Sequence, residues 1–354
     1  MIFTSIPFWN LSLNKSDGGS MREIGSEFWM RRPSMQMNGA DNVAYLLSGR
    51  TALKFIVDDI CENRRFQSVL LPSYCCESMI EPFSSAGIDV QFYPVHKDYL
   101  EYPRENNADA VLLIDFFGYI NPKNAEIARS EKQAGKAVIY DATHKIDGNP
   151  AVEAVADYSF CSYRKWFYCN FAQAIKHIGA FNCLELKSND RYIEIRDRAA
   201  EKKEKYIAGL TAEKEDFLKL FSMTEEILDE DYIGYSGVPV AFDLDEIVAK
   251  RRENASYLFG ELKKIPEIKL WRDMVGTEDA PLFVPILVDP LVRRDLRFVL
   301  IKESIYCPIH WPVSSYHGEC NELYDMELSL ICDQRYDIAD MERIISVISR
   351  YFNR

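Results

Sequence analysis

The sequence predicts a doubly wound α/β fold: a large domain built on a mostly parallel sheet, followed by a smaller C-terminal α+β domain. Three observations carry this expectation. The chain has 354 residues, more than one hydrophobic core usually serves. Between about residues 42 and 165, short apolar runs alternate with helical patterns, as in βαβ units whose sheet is covered on both faces. A highly charged helical stretch follows, and then a shorter mixed series of helices and strands runs to the C-terminus.

Residues 1–40 read as an N-terminal arm. Met1 to Trp9 is apolar but has no basic flank and no long apolar core, so a signal peptide is not expected. The large domain is placed at 41–235. The apolar run 42–47 ends at Ser48-Gly49-Arg50-Thr51, where a helix reaching Ile60 begins. Residues 69–72 end a strand before a helix at 76–85, and 90–93 and 110–115 are strands. A polar helix at 124–134 leads through Gly135 into the strand 138–141, and 157–162 is strand-like again. Residues 189–230 read as solvated helices laced with ion pairs. The small domain is placed at 236–354. Its elements are a helix at 244–263 ending before Pro266, a strand at 282–288, a helix at 290–303, a strand at 305–309 and a last helix at 337–352. There are no internal repeats.

Composition narrows the class. With 47% hydrophobic residues the chain is globular, and a net charge of −13 argues against a nucleic-acid partner. No stretch approaches the roughly 20 apolar residues of a membrane span. The nine cysteines lack paired metal-ligand spacing: Cys75 and Cys76 are adjacent, and Cys161 and Cys169 have only His177 nearby. No metal site is expected, and free thiols in a reducing compartment imply a cytoplasmic protein. The sequons at Asn10 and Asn254 then read as chance matches.

Four places carry chemistry. Ser48-Gly49-Arg50-Thr51 enters a helix, where backbone N–H groups and a hydroxyl suit a phosphate; the same residues suit a simple helix cap. Asp141 closes a buried strand, either capping the next turn or offering a charge-assisted bond to a ligand. His144, three residues on, is within reach of Asp141. Lys165 follows a strand; buried among Tyr163, Trp166 and Phe167 and beside Arg164, it would have a lowered pKa and a neutral, nucleophilic amine. Ser162 is placed to donate to a phosphate, and His96, His177 and His317 read as surface or packing residues.

Taken in order, these segments resemble the DegT/StrS-type sugar aminotransferases, a family of fold-type-I enzymes dependent on pyridoxal 5'-phosphate. The likeness also runs through Leu70-Leu71-Pro72-Ser73-Tyr74-Cys75-Cys76, Phe116-Phe117-Gly118-Tyr119, Gly234-Tyr235-Ser236, the His310-Trp311 strand and Leu328-Ser329-Leu330. The resemblance implies that Lys165 carries the cofactor as an imine and then acts as general base, while Asp141 keeps the pyridine nitrogen protonated. It implies cofactor contacts from Ser48, Gly49, Arg50, Thr51, Tyr74, Cys76, His144 and Ser162, with His144 reaching the cofactor's phenolic oxygen. His310, Trp311 and Ser236 fall on the substrate side. It further implies glutamate as donor, a nucleotide-linked keto-sugar as acceptor, and a homodimer with shared active sites. The chain departs from the pattern at Cys76, where the family stacks an aromatic on the cofactor ring, at Ser236, and at Tyr168 to Gln173, where glycines are expected. Those departures leave a second reading, a degenerate family member with a regulatory or binding role.

Overall fold

The computed structural model describes residues 23–30, 35–36, 40–63, 66–97, 100–182, 186–211, 213–228, 233–237, 239–311 and 322–353. Most of the expected arm, Asn10 and His317 lie outside them.

Seven strands form the body of the large sheet: β1 Val43–Leu46, β2 Ser68–Pro72, β3 Asp89–Tyr93, β4 Ala110–Ile114, β5 Ala137–Asp141, β6 Tyr158–Cys161 and β7 Ala172–Lys176. Their order is β1-β7-β6-β5-β4-β2-β3. Strands β2 to β6 are parallel, and β7 runs antiparallel to both neighbours. Lys187–Ser188 and Ile233–Gly234 extend the sheet beyond β1. The central strands β4 and β5 are buried at every position, whereas β3, at the edge, is largely open to solvent.

The side-chain period of two divides the core. Leu71, Leu112 and Ile139 point to one face and pack under α1 Gly49–Asn63 and α2 Glu77–Ser85. Leu70, Val111, Leu113, Val138 and Tyr140 point to the other, against α3 Pro122–Gln133 and residues from the C-terminal part of the chain. From β2 the chain passes through α2 outward to β3, and from β4 it passes through α3 the other way to β5. A crevice therefore opens at the carboxyl ends of β2 and β4, where a doubly wound sheet takes its ligands.

The charged stretch forms α4 Asp190–Ile207 and α5 Lys214–Ile227, which pack on each other. Beyond them come α6 Leu244–Leu262, β8 Val284–Leu287, α7 Pro290–Lys302, β9 Glu327–Leu330 and α8 Ile338–Phe352. Strands β8 and β9 pair antiparallel, with Lys269–Leu270 on the far side of β8. Two differences from the sequence reading stand out. Strand β7 was not foreseen, because Ala172-Gln173-Ala174-Ile175-Lys176 mixes polar residues into a half-buried pattern. The strand expected at 305–309 has only two residues, Ile305–Tyr306, and pairs parallel with Ile24–Gly25. No helix among the described residues is long and apolar enough to cross a membrane.

Candidate active site

Two strands end in aspartate, and their hydrogen bonds tell them apart. Asp115, after β4, is fully buried and accepts from the Asn121 N–H at 2.8 Å, Asn124 Nδ2 at 2.9 Å, Tyr140 Oη at 2.9 Å and Asn149 Nδ2 at 2.8 Å. It is a saturated anchor for the loops after β4 and β5. Asp141, at the end of β5, is 4% exposed and accepts from the Thr143 N–H at 2.8 Å. Burial pushes its carboxyl up to about 6, against hydrogen bonds from the Thr143 side chain and backbone that pull it down. No side-chain cation pairs with Asp141 among the described residues.

The turn after Asp141 is tied to the lysine segment. Thr143 Oγ1 accepts from the Ser162 N–H at 3.2 Å, and the Thr143 carbonyl accepts from Trp166 Nε1 at 2.8 Å. Gly49, the first residue of α1, closes the cluster: a Cβ there would lie 3.1 Å from Ser162 Cβ. Ser162 thus sits against the N-terminus of α1, where backbone N–H groups and the helix dipole favour an anion. The Ser48 and Thr51 hydroxyls turn toward each other instead. The Thr51 N–H donates to Ser48 Oγ at 3.2 Å, and Thr51 Oγ1 donates to the Ser48 carbonyl at 2.9 Å. That arrangement is a helix cap, so Thr51 does not offer its hydroxyl to a ligand. Arg50 lies 3.9 Å from Glu81.

Lys165 ends the short turn Tyr163–Lys165 after β6. It does not lie among aromatics as expected. Trp166 and Phe167 are buried, and Tyr163 stacks on Phe167, so the three rings pack into the protein. Lys165 is exposed to a cavity of about 310 Å³ lined by Glu27, Arg164, Arg196, Phe221, Ser222 and Glu225. Its ammonium meets this cavity, yet the surrounding protein mass, and after it the Arg164 charge, hold the lysine below its usual range. Cys76, the half-buried residue before α2, feels the charges of both Asp141 and Lys165, and burial holds its thiol above the usual range. Its Sγ lies 3.0 Å from Ser78 Oγ.

Other expected site residues are placed differently. Tyr74 is fully buried, donates to the His310 carbonyl, and packs its ring among Trp311, Tyr324 and Phe116. Tyr74 is thus turned into the core rather than toward Asp141. His144 does not bond Asp141, because its Nδ1 accepts from the Phe117 N–H at 3.0 Å. Burial, with the His310 ring and the Lys165 charge, holds His144 well below the usual histidine range, so it is neutral with its proton on Nε2. Its ring stacks on Trp311 at 5.4 Å. His310 lies 3.0 Å from Ser329 Oγ, and its N–H donates to Glu327 at 2.7 Å. Ser236 is exposed and donates to Asp190 at 2.6 Å.

Sequence reasoning missed Glu27, Arg196 and Glu225 altogether. The segment from Tyr168 to Gln173 replaces the expected glycines with side chains that grip α4. Tyr168 Oη and Asn170 Nδ2 both donate to Asp197, at 2.5 Å and 2.8 Å, and Arg196 Nε donates to Asn170 Oδ1 at 3.2 Å.

No protein-family model matches the sequence, and no curated protein sequence does. Solved structures match over nearly the whole chain. PseC of Helicobacter pylori, an aminotransferase of pseudoaminic acid biosynthesis, superimposes with a TM-score of 0.65 at 12% identity, covering 94% of this chain and 100% of its own. The chain has an aminotransferase fold. A DegT DnrJ EryC1 StrS aminotransferase of Brucella abortus superimposes with a TM-score of 0.58 at 16% identity, over 88% of this chain and 86% of its own. NtdA of Bacillus subtilis, solved with bound PMP, gives 0.57 at 12% identity, over 88% and 73%. Within this fold, Asp141 ends β5, while Ser162 and Lys165 follow the neighbouring strand β6.

Proposed function

We propose that the protein is a pyridoxal-phosphate-dependent aminotransferase that moves an amino group from glutamate to a nucleotide-linked keto-sugar, in amino-sugar or polysaccharide biosynthesis. The observation that carries this reading is Asp141: a carboxylate buried at a strand end, costly to ionise, with no cationic partner among the described residues. A protonated pyridine nitrogen is a partner of the right charge. The neighbouring groups fit the rest of the cofactor. Ser162 and the backbone at Gly49 suit its phosphate, and a lysine with a lowered pKa opens beside them.

Bound there, the cofactor supplies an electron sink for charge developing at the donor's Cα. Asp141 holds the ring nitrogen in its protonated form. Lys165 Nζ would hold the cofactor and, when free, would serve as the base that takes the proton at the donor's Cα and delivers it at the product's Cα in the second half-reaction. His144, neutral and stacked on Trp311, adds no charge beside the site. The reading includes a homodimer in the cytoplasm, with the crevice between a large domain at 41–235 and a small one at 236–354.

The test is spectroscopic. Protein saturated with pyridoxal phosphate should absorb in the visible, lose that band on addition of glutamate, and retain the cofactor covalently after borohydride. Lys165→Ala should retain none. A wild-type protein that stays colourless and is never labelled by borohydride overturns the proposal.

A further inference from the structure

The charged lining of the cavity beside Lys165 is uneven. Three cations, Arg164, Lys165 and Arg196, face two carboxylates, Glu27 and Glu225. Arg164 is satisfied: both its terminal nitrogens reach Glu225, at 2.6 Å and 3.4 Å. Arg196 is held differently. Its side chain is 2% exposed, with its guanidinium beside the rings of Phe221, at 5.2 Å, and Tyr192, at 5.8 Å. Asn170 fixes its Nε. Among the described residues its one carboxylate partner is Glu27, 3.5 Å from Nη2, at the outer limit of a hydrogen bond, and Nη1 bonds nothing. A buried guanidinium is a fork built for two bonds to one carboxylate, and here it has one weak bond.

Glu27 is equally unusual. Its backbone is clamped, because its carbonyl accepts from Lys203 Nζ and from Arg335 Nη1 at 3.4 Å, and Arg335 Nη2 also takes the Ser26 carbonyl at 3.1 Å. Its carboxylate is 48% exposed in the cavity. The carboxylate can leave Arg196 by rotation about its own side chain while the backbone stays in place.

We propose that Arg196 is the residue that binds the carboxylate of the amino donor, and that Glu27 holds its place until the donor displaces it. This rests on the proposed transaminase function and adds the residue that selects an α-amino acid as donor. It also gives the Tyr168–Gln173 segment a role: Asn170 holds Arg196 directly and, with Tyr168, ties α4 at Asp197, keeping Arg196 on the cavity it shares with Lys165.

The two residues should act with opposite sign. Calorimetric titration of the cofactor-loaded protein with glutarate, an unreactive dicarboxylate, gives a dissociation constant for each variant. Arg196→Ala should weaken glutarate at least tenfold and leave the neutral glutaramide unchanged. Glu27→Gln should tighten glutarate by threefold or more, because the competing carboxylate is gone. Glu27 is exposed, so its variant folds and decides the matter even where Arg196→Ala does not. Unchanged or weaker binding in Glu27→Gln overturns the proposal, as does an Arg196→Ala protein that binds glutarate normally. The same titrations on protein without cofactor separate the two ideas. A chain that takes up no pyridoxal phosphate, yet shows these opposite shifts, refutes the transaminase reading and keeps the carboxylate site.

Discussion

Replacing Asp141 by asparagine should stabilise the cofactor-free protein above neutral pH and ruin cofactor binding. Burial raises this carboxyl from 3.8 to about 6. A raised acid binds its proton more readily in the folded than in the unfolded state, so stability falls as pH rises from about 4 to about 6 and is level above that. At 1.36 kcal/mol per pKa unit, the folded protein carries a penalty of about 3 kcal/mol at pH 7.5. The same linkage gives about 1 kcal/mol at pH 4.5. Asparagine has no such term. It adds a pH-independent cost of roughly 1–3 kcal/mol for its buried amide, which cancels when two pH values are compared. The advantage of Asp141→Asn over wild type should therefore grow by about 2 kcal/mol between pH 4.5 and 7.5 in urea unfolding of the apoprotein. Saturating pyridoxal phosphate should reverse the order at pH 7.5, because only the carboxylate gains from the ring cation. A stability difference that stays flat across this range would refute the argument that Asp141 is a buried charge awaiting a partner.

Two further outcomes test how the site is held. Gly118 has φ of +87°, and a Cβ there would stand 1.7 Å from the Ala280 carbonyl oxygen. Gly118→Ala should therefore cost about 4 kcal/mol or more, read as loss of soluble folded protein, and a variant with near-normal unfolding contradicts the packing described. Arg251 lies 4.3 Å over the Trp166 ring and donates to Gln334, Leu282, Pro281 and the Trp166 carbonyl. Arg251→Lys cannot reproduce that fork and should lose about 3 kcal/mol in urea unfolding monitored by tryptophan fluorescence; a loss below about 1 kcal/mol would show that the network contributes little.

Much of the fold was legible because its signal is local. The apolar runs at 69–72, 110–114 and 137–141 are buried on both faces and could hardly be anything but central strands. Helices α6, α7 and α8 fall within two residues of the expected spans, and the structure shows a capping box at Asp337 that fixes the start of the last. Where the signal was mixed, reading failed. Strand β7 carries Gln173 and the half-buried Lys176, whose polar ends are taken up by Tyr163, on the turn after β6, and by Asp59, far away in the chain. The pairing of Ile24–Gly25 with Ile305–Tyr306 spans nearly the whole chain, and no pattern in either dipeptide announces it.

The site divides the same way. Asp141, Ser162 and Lys165 could be found from sequence because each ends, or follows, a recognisable strand, and parallel order brings such ends to one edge. Arg196 and Glu225 could not, since they sit in charged helices where an ion-paired surface is the ordinary reading. Arg196 at 2% and Lys203 at 0% are buried where the rest of the helix's charges are not, and that burial comes from how α4 docks. Tyr168 and Asn170, both on Asp197, help hold that docking. The Tyr168–Asn170 segment thus helps set which helical charges line the cavity with Lys165. A local departure in sequence can therefore leave Asp141, Ser162 and Lys165 in place while changing the charges that line the cavity beside Lys165.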